Sequence, residues 1–175
     1  PSHGPIHRDT SFIVDAYGRW SSDVVRNMVV LPYVSMHGST EKLVCRLTDA
    51  LVAHDVEVAV RKLSVTDLGE LAADLIDAAT LVLGVSQVLG GAHPLAAHAA
   101  FVANALRPKT KFVSIVGSYG WGGKMVEQIV GTIPLIKAEI LEPVVVLGAP
   151  RDEDFAKIDA LAATIAQKHA TICSR

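Results

Sequence analysis

Three short segments hold most of the residues in this chain that could do chemistry. The first, Ser35-Met36-His37-Gly38-Ser39-Thr40, groups three hydroxyls around a glycine just ahead of a helical periodicity. At a helix N-terminus such residues would meet a phosphate with backbone N–H groups, hydroxyls and the positive end of the helix dipole. Gly38 permits close backbone approach or a positive φ. No Gly-Lys-Ser/Thr closes the segment, and no Gly-x-Gly-x-x-Gly occurs, which excludes a Walker A loop and a dinucleotide fingerprint. Without lysine or arginine it suits one firmly held phosphate better than a triphosphate with magnesium. A plain helix cap by Ser39 or Thr40 is the alternative use.

The second segment, Gly117-Ser118-Tyr119-Gly120-Trp121-Gly122-Gly123, places two aromatic rings on a flexible backbone in a chain with only 5% aromatic residues. Flat rings there would stack on a planar ring system; a core tryptophan beside a turn is the alternative. The third, Gly84 to Pro94, is long for a strand-to-helix connection. In it Ser86 and Gln87 could hydrogen-bond the edge of a heterocycle, and Gly90-Gly91 could flip a peptide. His93 is either a proton donor or an ordinary solvated loop histidine.

The elements between these segments alternate. Met28 to Val34 is a continuous apolar run, as in a parallel strand covered on both faces, with a local irregularity expected at Pro32. Thr40 to Ala53 reads as a helix with Leu43, Leu47, Ala50 and Leu51 on one stripe, led by Ser39 and Thr40 as caps. Strands are predicted over Val56 to Val60, Thr80 to Leu83, Lys111 to Val116 and Ala138 to Leu147, the last interrupted by Pro143. Helices are predicted over Asp67 to Asp77, Leu95 to Leu106, Lys124 to Val130 and Asp154 to His169. Such alternation makes an α/β fold: a five-stranded parallel sheet with helices on both faces. In it ligands bind beyond the carboxyl ends of the strands, where all three segments fall. Ahead of this unit, a helix starting at Asp9 or Thr10 would put Phe12, Ile13, Ala16, Tyr17 and Trp20 on one face, needing another surface to cover its aromatics. Residues 1–27 are therefore expected to be a linker or the tail of a neighbouring domain, and residues 28–175 the folded domain.

Composition narrows the function classes. Half of the 175 residues are hydrophobic, but charged or polar residues interrupt every apolar run before about 18 residues, so no membrane span is predicted. Sixteen basic residues against eighteen acidic ones leave a net charge of −2, with no basic face for nucleic acid. Cys45 and Cys173 form no CxxC pair, which argues against a disulfide framework or thiolate zinc site and fits a reducing, cytoplasmic setting. Cys45-Arg46 lacks the Cys-x5-Arg spacing of a tyrosine phosphatase. The ligand-side segments contain no Asp or Glu, so the magnesium site of a receiver domain is also excluded. The chain opens Pro1-Ser2-His3-Gly4-Pro5, without an initiator Met and without a basic then apolar leader, which reads as a piece of a longer or processed polypeptide.

Together and in this order, the three segments resemble flavodoxin-like FMN domains, over residues 28 to about 170. Ser35 to Thr40 looks like the family's phosphate loop. Gly117 to Gly123, with Ala138-Glu139-Ile140-Leu141-Glu142-Pro143, resembles one subgroup, the flavodiiron proteins (A-type flavoproteins). The resemblance implies strand order 2-1-3-4-5 and FMN as cofactor. It assigns Ser35, His37, Gly38, Ser39 and Thr40 to the phosphate, and Ser86, Gln87, Gly90 and Gly91 to the isoalloxazine edge. Ser118, Tyr119, Gly120, Trp121 and Gly122 would form the stacking wall. Ser2-His3-Gly4-Pro5 resembles the end of the metallo-β-lactamase-like domain that precedes the flavodoxin domain in this family, which would make His3 a diiron ligand there. Electrons would pass from a donor such as rubredoxin or coenzyme F420 to a diiron centre reducing O2 to water or NO to N2O, within a head-to-tail homodimer. The rival readings are a stand-alone flavodoxin-like carrier or docking domain, and an FMN quinone reductase. The absence of carboxylates from the loops implies a flavin potential above that of acidic flavodoxins.

Overall fold

The computed structural model describes residue 4 and residues 6–173. Asp9 caps the first helix, α1 (Thr10–Ser21), by accepting from the N–H groups of Ser11 at 3.0 Å and Phe12 at 3.4 Å. Only Ala16 of α1 is buried, and Phe12, Tyr17 and Trp20 remain exposed, so the described residues do not cover its aromatic face. At its end, Lys109 Nζ donates to the carbonyl of Arg19 in the last turn at 2.8 Å and to that of the capping Ser22 at 3.2 Å.

The remaining chain alternates as predicted: β1 (Arg26–Tyr33), α2 (Ser39–Ala53), β2 (Glu57–Lys62), α3 (Leu68–Asp74) and β3 (Ala78–Val88). A two-residue strand, β4 (Gly91–Ala92), precedes α4 (Pro94–Leu106), β5 (Phe112–Tyr119) and α5 (Met125–Thr132). The chain ends with β6 (Glu139–Ile140), β7 (Val144–Leu147) and α6 (Asp152–Ile172). The sheet runs β2-β1-β3-β5, with β6 and β7 following one another along the far edge of β5, all parallel. Counting β6 and β7 as one strand split at Pro143, this is the expected order 2-1-3-4-5, and the fold is flavodoxin-like.

Period-two alternation sends neighbouring strand residues into two cores. Met28, Val30, Leu81, Leu83 and Ile115 meet α3, α4 and α5 on one face. Val29, Leu31, Val82 and Val116 meet Leu43, Leu47 and Leu51 of α2 and Ile158, Leu161 and Ile165 of α6 on the other. Each fully buried leucine contributes roughly 2 kcal/mol of transfer free energy. On α4 the buried stripe is Ala96, Ala99, Ala100 and Ala103, whose small side chains let the helix lie close to the sheet.

One local expectation is refined and one corrected. Pairing with β2 runs unbroken through Pro32, which faces Arg61, while pairing with β3 skips Leu31 and Pro32 without a change of register, the register shift falling between Arg26 and Val29. A proline removes one ladder donor but keeps an extended backbone, so the strand passes through it. The segment after Gly84 is not a long loop: β3 continues to Val88 and turns back into β4. Among the described residues, no helix is long and apolar enough to cross a membrane.

Candidate functional site

The carboxyl ends of β1, β3, β5 and β7 open into one cleft of about 380 Å³. Its first wall is the turn from β1 into α2. Gly38, at φ +83°, is the residue ahead of the helix, so Ser39 and Thr40 lie inside the first turn and neither caps it. The capping role belongs to Ser35, whose Oγ accepts from the N–H of Gly38 at 3.1 Å and of Glu41 at 3.3 Å. The first-turn N–H groups of Ser39 and Thr40 have no intrahelical partner, which makes this helix end an anion-seeking one.

Thr40 is fully buried and its hydroxyl points under the cleft floor. It lies 3.1 Å from Ser86 Oγ and 3.0 Å from Ser118 Oγ, and Ser86 in turn donates to the Val34 carbonyl at 2.9 Å. One threonine therefore ties the first loop to the ends of β3 and β5. The acidic neighbour Glu41 is held off the loop by Tyr33, whose hydroxyl donates to it at 2.8 Å, and by Lys62 at 3.1 Å. Those two bonds hold the Glu41 carboxyl below the usual carboxylate range, while burial, reinforced by Glu41, pushes the Tyr33 phenol up to about 12.

The second wall is the hairpin from β3 to β4. Leu89 at φ +49° and Gly90 at φ +81° are both left-handed, as a two-residue type I′ turn demands. Leucine in that conformation carries about 1 kcal/mol of strain, and this one is also 93% exposed. The third wall begins within β5, at Ser118 and Tyr119, and continues through Gly120 and Trp121. Trp121 is 67% exposed, which sets aside a core tryptophan.

Of the residues singled out by sequence, Ser35, His37, Ser39, Ser86, Gln87, Ser118, Tyr119, Gly120 and Trp121 line the cleft together. Gly38 and Thr40 build its rim and floor support, Gly90 and Gly91 the hairpin, and Gly122 borders an adjoining hollow shared with Gln87 and Tyr119. His3 lies outside the described residues. Sequence reading missed Met36, Val88, Leu89 and Gly148, which also line the cleft. Gly148 follows β7, so the rule that selected the other three loops also points to it; its N–H donates to the Tyr119 carbonyl at 2.8 Å.

None of the described residues lining the cleft is Asp, Glu, Lys or Arg. Among the described residues, no cluster of three or more His, Cys, Asp and Glu could hold a metal ion. The lining therefore suits an uncharged planar ring: aromatic faces on one side, hydroxyl and amide groups on the other, and a helix N-terminus for a single anionic group.

No family model matches the chain. It is 34% identical over 171 residues to a nitric oxide reductase of Moorella thermoacetica, covering 96% of this chain and 43% of that one. It is 26% identical over 171 residues to a rubredoxin-oxygen oxidoreductase of Megalodesulfovibrio gigas, covering 95% and 42%. Its fold superposes on a flavodiiron protein of Giardia intestinalis with a TM-score of 0.87 at 17% identity, covering 95% of this chain and 42% of that one. The chain thus spans less than half the length of these curated relatives.

Proposed function

We propose, for a chain whose homologues are flavodiiron oxidoreductases and whose fold is flavodoxin-like, that the cleft holds FMN and passes electrons within a larger flavodiiron enzyme. The observation that carries this reading is the meeting of the α2 N-terminus with half-buried Tyr119 and exposed Trp121 in one cleft whose described lining is uncharged. Ser35, His37, Gly38, Ser39 and Thr40 would hold the phosphate. Ser86, Gln87, Gly90 and Gly91 would meet the polar edge of the ring, and Ser118, Tyr119, Gly120, Trp121 and Gly122 its face. When bound, FMN supplies the electron transfer, and the protein supplies position and electrostatics. Rubredoxin, in the name of one relative, or coenzyme F420 is the proposed donor, and O2 or NO the final acceptor at a diiron centre. Residues 1–27 are proposed to be the tail of the metallo-β-lactamase-like domain that carries those irons, with His3 as one ligand, in a head-to-tail homodimer working in the cytoplasm.

Titration of the apoprotein with FMN and riboflavin tests the cofactor assignment. FMN should bind more tightly than riboflavin. Ser39→Ala should weaken FMN about tenfold, as expected for losing one hydrogen bond near a charged group. Thr40→Val should weaken it by removing the tie from the loop to Ser86 and Ser118 under the floor. Unchanged FMN affinity in both variants sinks the phosphate assignment.

The uncharged lining also sets an electrostatic expectation: the potential of bound FMN should lie above that of flavodoxins with acidic loops, since nearby negative charge disfavours an anionic reduced flavin. Gly120 has no atom within 4 Å of the position its Cβ would take, so Gly120→Asp adds a carboxylate without a clash. One added charge beside the flavin is worth about 1–3 kcal/mol, a fall of roughly 20–65 mV in the two-electron couple. A redox titration in which the two proteins agree would remove this account.

A further inference from the structure

We infer that Gln128, which lines no part of the cleft, is a positioning residue that sets the distance between its polar-edge hairpin and its aromatic wall. The inference rests on reading the cleft as the FMN site. The β3–β4 hairpin is a cantilever. β1 pairs with β3 as far as Gly84, and β5 pairs with it as far as Ser86, through Ser118. Beyond those points Gln87 and Val88 pair only with Ala92 and Gly91 of β4. The tip is the strained Leu89-Gly90 turn. Yet Gln87, Val88 and Leu89 are the residues that this hairpin contributes to the cleft.

Two bonds from the start of α5 steady it. The Lys124 N–H donates to the Gly90 carbonyl at 2.9 Å, and the Ala92 N–H donates to Gln128 Oε1 at 2.8 Å. A third contact is steric. A Cβ on Gly123 would run into the Gly90 carbonyl and the Gln87 amide, and one on Gly91 would sit 2.5 Å from Gln128 Oε1. The aromatic segment leads directly into α5, so both anchors follow closely on Tyr119 and Trp121 along the chain. The backbone bond at Gly90 survives any side-chain change. The bond at Ala92 depends on Gln128 alone, and without it a buried residue's N–H loses its acceptor. Holding a binding element by a partner outside the site is how a cleft keeps its width.

Gln128→Leu and Gln128→Glu test this, because glutamate keeps an acceptor oxygen at the same reach and leucine does not. Gln128 is exposed, so both variants should fold, Gln128→Glu with an unfolding midpoint near that of the unmodified protein and Gln128→Leu with one lowered by the loss of a single acceptor. In the apoprotein, Gln128→Leu should speed amide exchange at Ala92 about tenfold, while Gln128→Glu leaves it near the original rate. FMN should bind about tenfold more weakly to Gln128→Leu and within about threefold of the original to Gln128→Glu, and only the leucine variant should change the visible circular dichroism of the bound flavin. Unchanged Ala92 exchange in Gln128→Leu overturns the clamp. Equal losses of FMN affinity in both variants overturn it too, because the side chain would then act otherwise than as an acceptor. If the unmodified protein binds no FMN, the cofactor reading falls and the exchange rates alone decide the clamp.

Discussion

Gly117→Ala is expected to lower the stability of the domain by about 3 kcal/mol and to abolish FMN binding with it, the largest effect of any single methyl group near the cleft. Gly117 sits in β5 between Val85 of β3 and Val145 of β7, so its backbone is paired on both sides. A Cβ there would run into the carbonyl oxygen of Val85, with the Val85 carbonyl carbon 3.1 Å and Met125 Cε 3.2 Å away. Met125 is flexible and could move, but the Val85 carbonyl belongs to the central strand, and the Thr40 hydroxyl also donates to it at 3.4 Å. Relief would have to come from separating β3 and β5 where Ser86 and Ser118 meet Thr40, which also dismantles the cleft floor. Gly120→Ala, three residues on, meets nothing within 4 Å and should change stability by less than about 0.5 kcal/mol. Chemical denaturation of the two variants is the measurement. Coincident unfolding midpoints would show that β3 and β5 can part without cost, contrary to this account.

Gly117 also illustrates how far the sequence could be read. Its place after a buried apolar run reads as the end of a strand, because parallel strands covered on both faces leave nearly unbroken runs of Val, Ile and Leu. The strand β5 instead continues through Gly117 to Tyr119. The alternation of strands with helices on both faces, and the segments that supply nine of the cleft residues, were legible in the residues, whereas the sheet order followed from the family resemblance. Its reason for being glycine was not, since a clash with Val85 depends on strand register, which single-strand patterns do not reveal. The hairpin beyond Gly84 was hidden for a related reason. Its turn is Leu89-Gly90, without the Asn-Gly or Asp-Gly that marks a type I′ turn, so a strand and its return looked like a long loop. Ser35 and Thr40 were picked correctly as polar groups near the helix start, but their division of labour was not. Which hydroxyl closes the loop and which supports the floor depends on the one-residue offset that puts Gly38, not Ser39, ahead of the helix.

At the opposite end of the sheet, the protein should lose roughly 3 kcal/mol of stability between pH 6.5 and pH 4 through one residue, His169. Its side chain is buried to 1% exposure between the starts of β1 and β3. Asn27 donates its Nδ2 to the Asp55 carbonyl at 2.8 Å, which turns its Oδ1 toward His169 Nδ1 at 2.8 Å. A carbonyl oxygen only accepts, so Nδ1 carries the proton, and Nε2 is left to accept from the Thr80 hydroxyl at 2.6 Å. That arrangement uses both ring nitrogens of the neutral imidazole and turns an acceptor to Thr80. Protonating Nε2 would require Thr80 to reverse its hydroxyl and would bury a charge. Burial accordingly pushes the His169 pKa down from 6.5 to about 4. The sign follows by linkage. Between those values the unfolded chain holds a proton that the folded one refuses, so stability is complete above pH 6.5 and falls as the pH drops toward 4. At 1.36 kcal/mol per unit the loss approaches 3 kcal/mol. Exposed carboxylates held low by partners, such as Asp159 with Arg46, also destabilise the fold on protonation, but in a window that lies lower. Denaturation midpoints measured from pH 7.5 to 4 should slope for the unmodified protein. They should be nearly flat across that window in His169→Gln, which keeps polar atoms for Asn27 and Thr80 but cannot titrate. The same slope in His169→Gln, or a His169 ring-proton resonance titrating near 6.5, would assign the acid sensitivity elsewhere.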